Sequence, residues 1–130
     1  MLDEIIKKME AQIDTDDFEY IQEECMSEIE KKDLGLSAVE PLLQFIERHP
    51  VSDFGMPGEI VHYLESLEGY EDKLVDSINR RPTLHTVWMI NRIKNTGENY
   101  EKYTKILNGV LECKDIEDEI KESVKQFLED

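Results

Sequence analysis

Apolar residues recur at helical spacing along almost the whole chain, and this periodicity constrains the fold more than any other feature of the sequence. The first apolar stripe consists of Leu2, Ile5, Ile6, Met9 and Ile13, which share one face at 3.6 residues per turn. Similar stripes follow, and the apolar–polar alternation of a half-buried strand is absent. The sequence therefore predicts an all-α protein of about eight helices arranged in antiparallel hairpins.

Capping and turn residues predict several helix boundaries. Ser37 and Glu40 fit an S-x-x-E capping box at the start of the third helix. Pro57 stands where the first turn of the fourth helix is expected, because that turn has no use for the missing N–H. The sixth helix is predicted to run from Thr83 to Asn95 and to end at Gly97, and the eighth to begin at Asp115.

Two segments that end in proline have matching sequences. Residues 42–50 align with residues 74–82 at an offset of 32 residues, with Leu, Ile, Arg and Pro at equivalent positions. Repeats of about this length are typical of stacked helical hairpins. We therefore expect a HEAT-like right-handed stack, with a compact helical bundle as the alternative. A length of 130 residues fits a single all-helical domain spanning residues 1–130.

The charge of the chain limits the partners it can have. There are 31 acidic and 15 basic residues, which give a formal net charge of -16 at pH 7. Nucleic acids and anionic membranes need a basic surface, so neither is an expected partner. Most of the acidic excess lies in residues 1–65, whereas residues 73–105 contain more bases than acids. This charge suits a basic partner, and simple solubility is the alternative explanation.

The sequence also predicts the cellular compartment. No uninterrupted apolar region of a signal peptide follows the first residues, and no stretch approaches the length of a membrane span. Cys25 and Cys113 are the only cysteines; both fall on apolar helix faces and are expected to be buried free thiols. A reducing cytoplasm is the expected location.

One arrangement is similar to a metal or acid–base site. Glu59, His62 and Glu65 follow one another at i, i+3 and i+6 along a helix flank. A di-iron bundle needs two Glu-x-x-His motifs, and the H-E-x-x-H zinc motif, nucleophile elbows and phosphate loops are absent. We therefore expect no enzyme, no cofactor and no metal. A polar surface cluster is the preferred interpretation, and a metal-dependent enzyme is the alternative.

Two segments carry a resemblance to a known class of proteins. Residues 50–65 (PVSDFGMPGEIVHYLE) and 80–92 (RRPTLHTVWMINR) resemble small all-helical immunity proteins of bacterial polymorphic-toxin and contact-dependent inhibition systems. The resemblance covers roughly residues 40–95. It implies a non-enzymatic inhibitor that binds the C-terminal domain of a cognate toxin, often a nuclease, and covers its active or substrate-binding surface. Such a toxin domain is basic where it holds phosphate, so an acidic inhibitor gains a fast, steered association.

The resemblance implies partner contacts at seven positions. These are Asp53, Glu59, His62, Glu65, His85, Trp88 and Arg92. Trp88, on the most apolar helix, is expected in the core, with an interface anchor as the alternative. Pro57, Gly58 and Pro82 are interpreted as residues that set helix starts and ends. The competing function is a generic acidic helical-repeat adaptor that binds a peptide or a host protein.

Overall fold

The computed structural model describes residues 2–55 and 58–129, and all regular secondary structure in these residues is helical. The eight helices are α1 Leu2–Ala11, α2 Phe18–Lys31, α3 Val39–Arg48, α4 Glu59–Glu65, α5 Glu71–Arg80, α6 Leu84–Asn95, α7 Tyr100–Leu111 and α8 Asp118–Glu129. A short 3-10 helix, Gly35–Ala38, precedes α3. Within these residues no strand forms, and the predicted all-α fold is confirmed. Pro57, expected to start the fourth helix, lies outside the described residues.

The helices pack in an alternating pattern. Next-but-one neighbours are in contact in the pairs α1/α3, α2/α4, α3/α5 and α6/α8, and sequential neighbours in α1/α2, α5/α6, α6/α7 and α7/α8. This pattern is typical of stacked helical hairpins. Lys94, itself buried, donates from Nζ to the carbonyl oxygen of Phe127 at 2.7 Å, so α6 and α8 end side by side.

One cluster of buried apolar side chains includes members of every helix. At one end of this core the ring of Phe54 contacts three other rings. The centroid distances are 5.6 Å to Phe18 of α2, 5.7 Å to Phe45 of α3 and 4.6 Å to His85 of α6. Because Phe54 belongs to the connection between α3 and α4, these contacts hold that connection against three helices.

The two matching segments lie in α3 and α5, which are in contact. Their equivalent leucines, Leu42 and Leu74, are both fully buried. Arg80 forms ion pairs with two glutamates of α3, Glu40 at 3.2 Å and Glu47 at 2.8 Å. The internal repeat therefore corresponds to two neighbouring helices that share apolar burial and are joined by charge.

Two predicted helix starts are wrong. The Ser37 hydroxyl lies within the 3-10 helix and donates to the carbonyl oxygen of Leu34 at 2.7 Å, and α3 follows Ala38 without a side-chain cap. Helix α8 begins at Asp118, three residues later than expected from Asp115. In both cases the residue expected to cap the helix belongs to a short turn that precedes the helix.

The end and start of α6 agree with the sequence. Gly97, with a φ of 87°, follows the C-cap Thr96, as predicted. At the other end Thr83 is the N-cap: its hydroxyl accepts from the N–H of Thr86 at 3.0 Å, and Thr86 Oγ1 accepts from the N–H of Thr83. This reciprocal pair holds the first turn of α6, which carries side chains of the groove described below.

The cysteines differ in environment, and both are free. Cys25 is 1% exposed, and burial raises the pKa of its thiol. Cys113 is only partly buried because it lies in the turn after α7, so the expectation of a buried thiol is wrong at this position. Among residues 2–55 and 58–129, no helix combines the length and apolar character needed to cross a bilayer.

Candidate binding groove

A groove of about 540 Å³ opens between the chain that follows α3, the first turns of α6 and helix α8. Its apolar lining comes from Val51, Leu84, Trp88 and Phe127. All four keep part of their surface exposed. The groove therefore leaves apolar side chains in contact with water between elements that are themselves well packed.

Backbone and side-chain hydrogen bonds hold the loop wall of the groove. The N–H of Leu84 donates to the carbonyl oxygen of Pro50 at 2.9 Å. Gln22 of α2 is 2% exposed; its Nε2 donates to Phe54 O at 2.9 Å, and its Oε1 accepts from the N–H of Ile60 at 3.0 Å. The Gln22 amide therefore bonds to a carbonyl group of the loop and to an N–H group at the start of α4. Nothing in the sequence around Gln22 indicates these two bonds.

His85 supplies a buried acceptor beside the groove. Its ring is stacked on Phe54, and Nε2 lies 3.4 Å from the carbonyl oxygen of Gly55. Since a carbonyl only accepts, Nε2 carries the hydrogen and Nδ1 keeps a lone pair, for which the described residues offer no donor. Burial lowers the pKa of His85, while the Gly55 carbonyl and the Asp53 charge oppose this shift. The imidazole is therefore neutral at pH 7.

Three carboxylates border the apolar lining. Asp53 stands on the loop side, and Glu119 and Glu122 stand on α8. All three are exposed, and within the described ranges none has a basic side chain at ion-pair distance. The N–H of Gly55 donates to Asp53 Oδ1 at 2.8 Å, which fixes that carboxylate at the edge. The groove therefore combines an apolar floor, formed by Val51, Leu84, Trp88 and Phe127, with a border of three carboxylates that no ion pair among the described residues neutralises.

The structure brings three of the seven predicted contact residues, Asp53, His85 and Trp88, into this groove. Two more, Glu65 and Arg92, line a separate depression together with Tyr70. The Arg92 guanidinium lies 4.9 Å from the centroid of the Trp88 ring, and its Nε donates to Glu65 Oε2 at 2.9 Å. The Glu65 charge is thus neutralised within the molecule.

Glu59 and His62 are exposed on α4 and do not line the groove. Among the residues the structure describes, no group of three histidine, cysteine or acidic side chains is placed to hold a metal ion. The polar triplet of Glu59, His62 and Glu65 is therefore divided, because the carboxylate of Glu65 bonds to Arg92.

The basic stretch at residues 73–105 does not form a basic surface at its arginines. Each of the four arginines in the sequence forms an ion pair: Arg48 with Glu10, Arg80 with Glu40 and Glu47, Arg81 with Glu117, and Arg92 with Glu65. These pairs lie within the molecule and bind its own glutamates. The arginines are therefore neutralised within the molecule, whereas Lys102 and Lys105 of the basic stretch stay exposed.

Helix α2 presents a second acidic surface, which we call the α2 face and define by Tyr20, Glu23, Glu24 and Glu28. These side chains line one shallow depression together with Ser27 and Lys31, and Tyr20 is 64% exposed. The Tyr20 hydroxyl lies 3.4 Å from Glu24 Oε2, to which it donates. No glutamate of the α2 face forms an ion pair with another described residue. The acidic run was visible in the sequence, but Tyr20 was not among the predicted contact residues.

Comparison with protein-family models, curated proteins and solved structures gives no match. The resemblance to helical immunity proteins therefore rests on residues 50–65 and 80–92 of the sequence alone. Function has to be inferred from the charges and contacts of the chain itself.

Proposed function

We propose that this chain is an immunity protein that binds a cognate bacterial toxin domain and neutralises it. The toxin domain is basic, as a nuclease is, and the inhibitor covers its active or substrate-binding surface. Occlusion needs shape and charge only, so the proposal assigns the chain no catalysis, cofactor or metal, and no nucleic-acid or membrane partner. The protein acts in the cytoplasm of the cell that makes the toxin.

The observation that carries this proposal is the separation of paired from unpaired charge. All four arginines bind glutamates of the same molecule, whereas the carboxylates of the α2 face and of the groove border have no cation at ion-pair distance among the described residues. The net charge of -16 is therefore directed outward. A surface of this kind accelerates encounter with a basic partner and rejects acidic ones.

Co-purification from the source organism tests the proposal. The tagged chain is used as bait in low salt and then in moderate salt, and the bound proteins are identified and expressed alone and with the chain. We expect one stoichiometric basic partner that is toxic alone and harmless when co-expressed. Recovery of harmless cellular proteins only would contradict the proposal.

A charge-matched pair of variants tests the electrostatic part. Glu23→Gln, Glu24→Gln and Glu28→Gln together remove three charges from the α2 face, and Glu98→Gln, Glu101→Gln and Glu112→Gln remove three exposed charges around α7. We expect the first triple variant to slow association with the toxin about tenfold in low salt and the second to slow it less. Equal rates for all three proteins would remove the α2 face from the proposal.

The adaptor function is supported by the packing. Contacts between next-but-one helices are those of stacked helical hairpins, an architecture whose extended surfaces bind peptides and proteins. The same co-purification separates the two functions, because an adaptor would return partners that do not arrest growth when expressed alone.

A further inference from the structure

We infer that the groove between residues 51–53, α6 and α8 binds an arginine-bearing, partly apolar segment of the partner, with the arginine stem on the apolar floor and the guanidinium among the border carboxylates. The inference rests on the proposed function and adds to it the place and the chemistry of one contact. The occupant is a cationic segment of another protein.

The apolar floor fits the stem of a long basic side chain. Leu84, Trp88 and Phe127 pack against the core with one part of their surface and leave the rest exposed to the groove. The methylene groups of arginine bury apolar area while the charged head stays at the edge. In this molecule a guanidinium already stacks near Trp88, since Arg92 lies 4.9 Å from the ring centroid.

The border supplies hydrogen-bond acceptors for the cationic head. Asp53, Glu119 and Glu122 are exposed carboxylates that line the groove, and the residues lining it include no lysine or arginine. A carboxylate or phosphate ligand would therefore meet three like charges and no cation. A guanidinium carries five N–H donors in a planar fork and suits several carboxylates at once better than a lysine ammonium does.

His85 is an independent indication that a donor belongs here. It lines the groove, it is 1% exposed, and its Nδ1 has no partner among the described residues. A buried acceptor without a partner is costly and is rare in folded proteins. The free lone pair of the neutral imidazole, on a residue that lines the groove beside three carboxylates, favours a ligand that brings N–H donors, as an arginine-bearing segment does.

A second groove of the molecule is lined by positively charged side chains instead of carboxylates. It lies between α5 and α7, has a volume of about 590 Å³, and is lined by apolar residues together with Lys102 and Lys105. A cationic segment is repelled there. The two grooves are similar in size but differ in the charge of their linings. The preference of a charged ligand for one groove over the other therefore reports electrostatic recognition.

Tryptophan fluorescence tests the inference directly, because Trp88 is the single tryptophan and lines the groove. The probe is a capped hexapeptide of alternating leucine and arginine; its controls have glutamine or glutamate in place of arginine. We expect the arginine peptide to change Trp88 emission saturably in low salt, with at least about tenfold higher affinity than the glutamine peptide. Equal binding of both peptides, or no change with either, would overturn the inference.

Variants of the border localise the effect. Asp53→Asn, Glu119→Gln and Glu122→Gln together keep the oxygen that accepts from Gly55 but remove three charges, and we expect about a tenfold loss of affinity for the arginine peptide. The matched control is Glu23→Gln, Glu24→Gln and Glu28→Gln on the α2 face, for which we expect less than about a threefold loss. Equal losses would show general attraction to an acidic protein and would contradict a specific groove.

The two proposals can fail separately. If a toxin is captured and the border triple variant binds it as tightly as the unmodified chain does, the groove inference is wrong and the immunity function stands. If no toxin is found but the arginine peptide titrates Trp88 and the border variant abolishes this, the groove stands as a peptide site and the immunity function is wrong.

Discussion

Gly58 limits side-chain size more strictly than any of the other five glycines. Its φ is 88°, and a β-carbon there would overlap the carbonyl oxygen of Phe54. Gly97 has almost the same φ of 87° but open space around it. We expect Gly97→Ala to lower the free energy of unfolding by about 1–2 kcal/mol through backbone strain alone, and Gly58→Ala by at least about 3 kcal/mol. Urea denaturation measures both, and equal losses would mean that the Phe54 contact relaxes freely.

His85 makes stability depend on pH. Burial lowers its folded-state pKa below the usual 6.5, so the unfolded chain binds the proton more readily. The free energy of unfolding is therefore expected to fall as the pH drops below about 6.5, by at most about 1.4 kcal/mol per pH unit. Glu10 and Glu117 behave differently: hydrogen bonds from Arg48 and Arg81 lower their pKa values below 4.5, so their contributions are lost only below that pH.

Urea denaturation between pH 7.5 and 5 isolates the His85 effect from the carboxylates. His85→Phe keeps a ring against Phe54 and is expected to flatten the profile in this range. His62→Gln, at an exposed histidine, is the control and should keep the slope, because His85 is still present. A profile that stays equally steep in His85→Phe would assign the pH dependence to other groups.

Three of the ten residues that line the groove, Asp53, His85 and Trp88, were predicted from the sequence. They were predicted because they lie in the two segments that resemble helical immunity proteins, which is a local sequence pattern. Glu119 and Glu122 looked like ordinary outward charges of an amphipathic helix, since only the packing of α8 beside α6 places them at the groove. Gln22 gave no signal, because its two partners are distant in the chain.

Among the secondary-structure elements, α4 depends most on another helix. It has 7 residues, and the Gln22 amide of α2 satisfies the Ile60 N–H at its start. Gln22→Ala would leave that N–H and the Phe54 carbonyl buried without partners, at about 1–3 kcal/mol each. We expect a loss of about 2–5 kcal/mol in the free energy of unfolding by urea denaturation.

Gln44→Ala is the matched control for this prediction, because Gln44 is exposed on α3. Its truncation should change the free energy of unfolding by no more than about 0.5 kcal/mol. A loss below about 1 kcal/mol in Gln22→Ala would mean that water or backbone movement replaces the amide.

The existence of the helices could be predicted better than their ends. Apolar periodicity is averaged over many residues, so each of the eight helices was indicated by several side chains. Each helix boundary depends on one or two hydrogen bonds. At the start of α3, the Ser37 hydroxyl bonds to the carbonyl oxygen of Leu34 instead of to the α3 backbone. The start of α6 was predicted correctly because Thr83 and Thr86 cap one another within the same turn.

At the scale of the whole molecule, self-repulsion is the dominant electrostatic effect. The net charge is -16, whereas the internal ion pairs are mostly at the surface and contribute about 0–1 kcal/mol each. We expect sodium chloride to raise the melting temperature by several degrees between about 0.01 M and 0.5 M, because screening weakens repulsion between exposed carboxylates. Circular dichroism melting curves measure this.

The α2 face provides the control for the salt effect. Glu23→Gln, Glu24→Gln and Glu28→Gln together should raise the melting temperature in low salt and reduce its dependence on salt. A melting temperature that falls when salt is added would show that the internal ion pairs outweigh the repulsion.

The double hydrogen bond of Gln22 has a consequence for the order in which the molecule folds. Helices in contact are sequential or next-but-one neighbours, so most of the structure can assemble from short-range encounters and is expected to fold rapidly. The Gln22 amide joins groups 32 and 38 residues away, and both bonds require α2, the loop and α4 to be in place together. We therefore expect them to form after the rate-limiting step, so that this amide sets the lifetime of the folded groove against unfolding more than the speed of its formation.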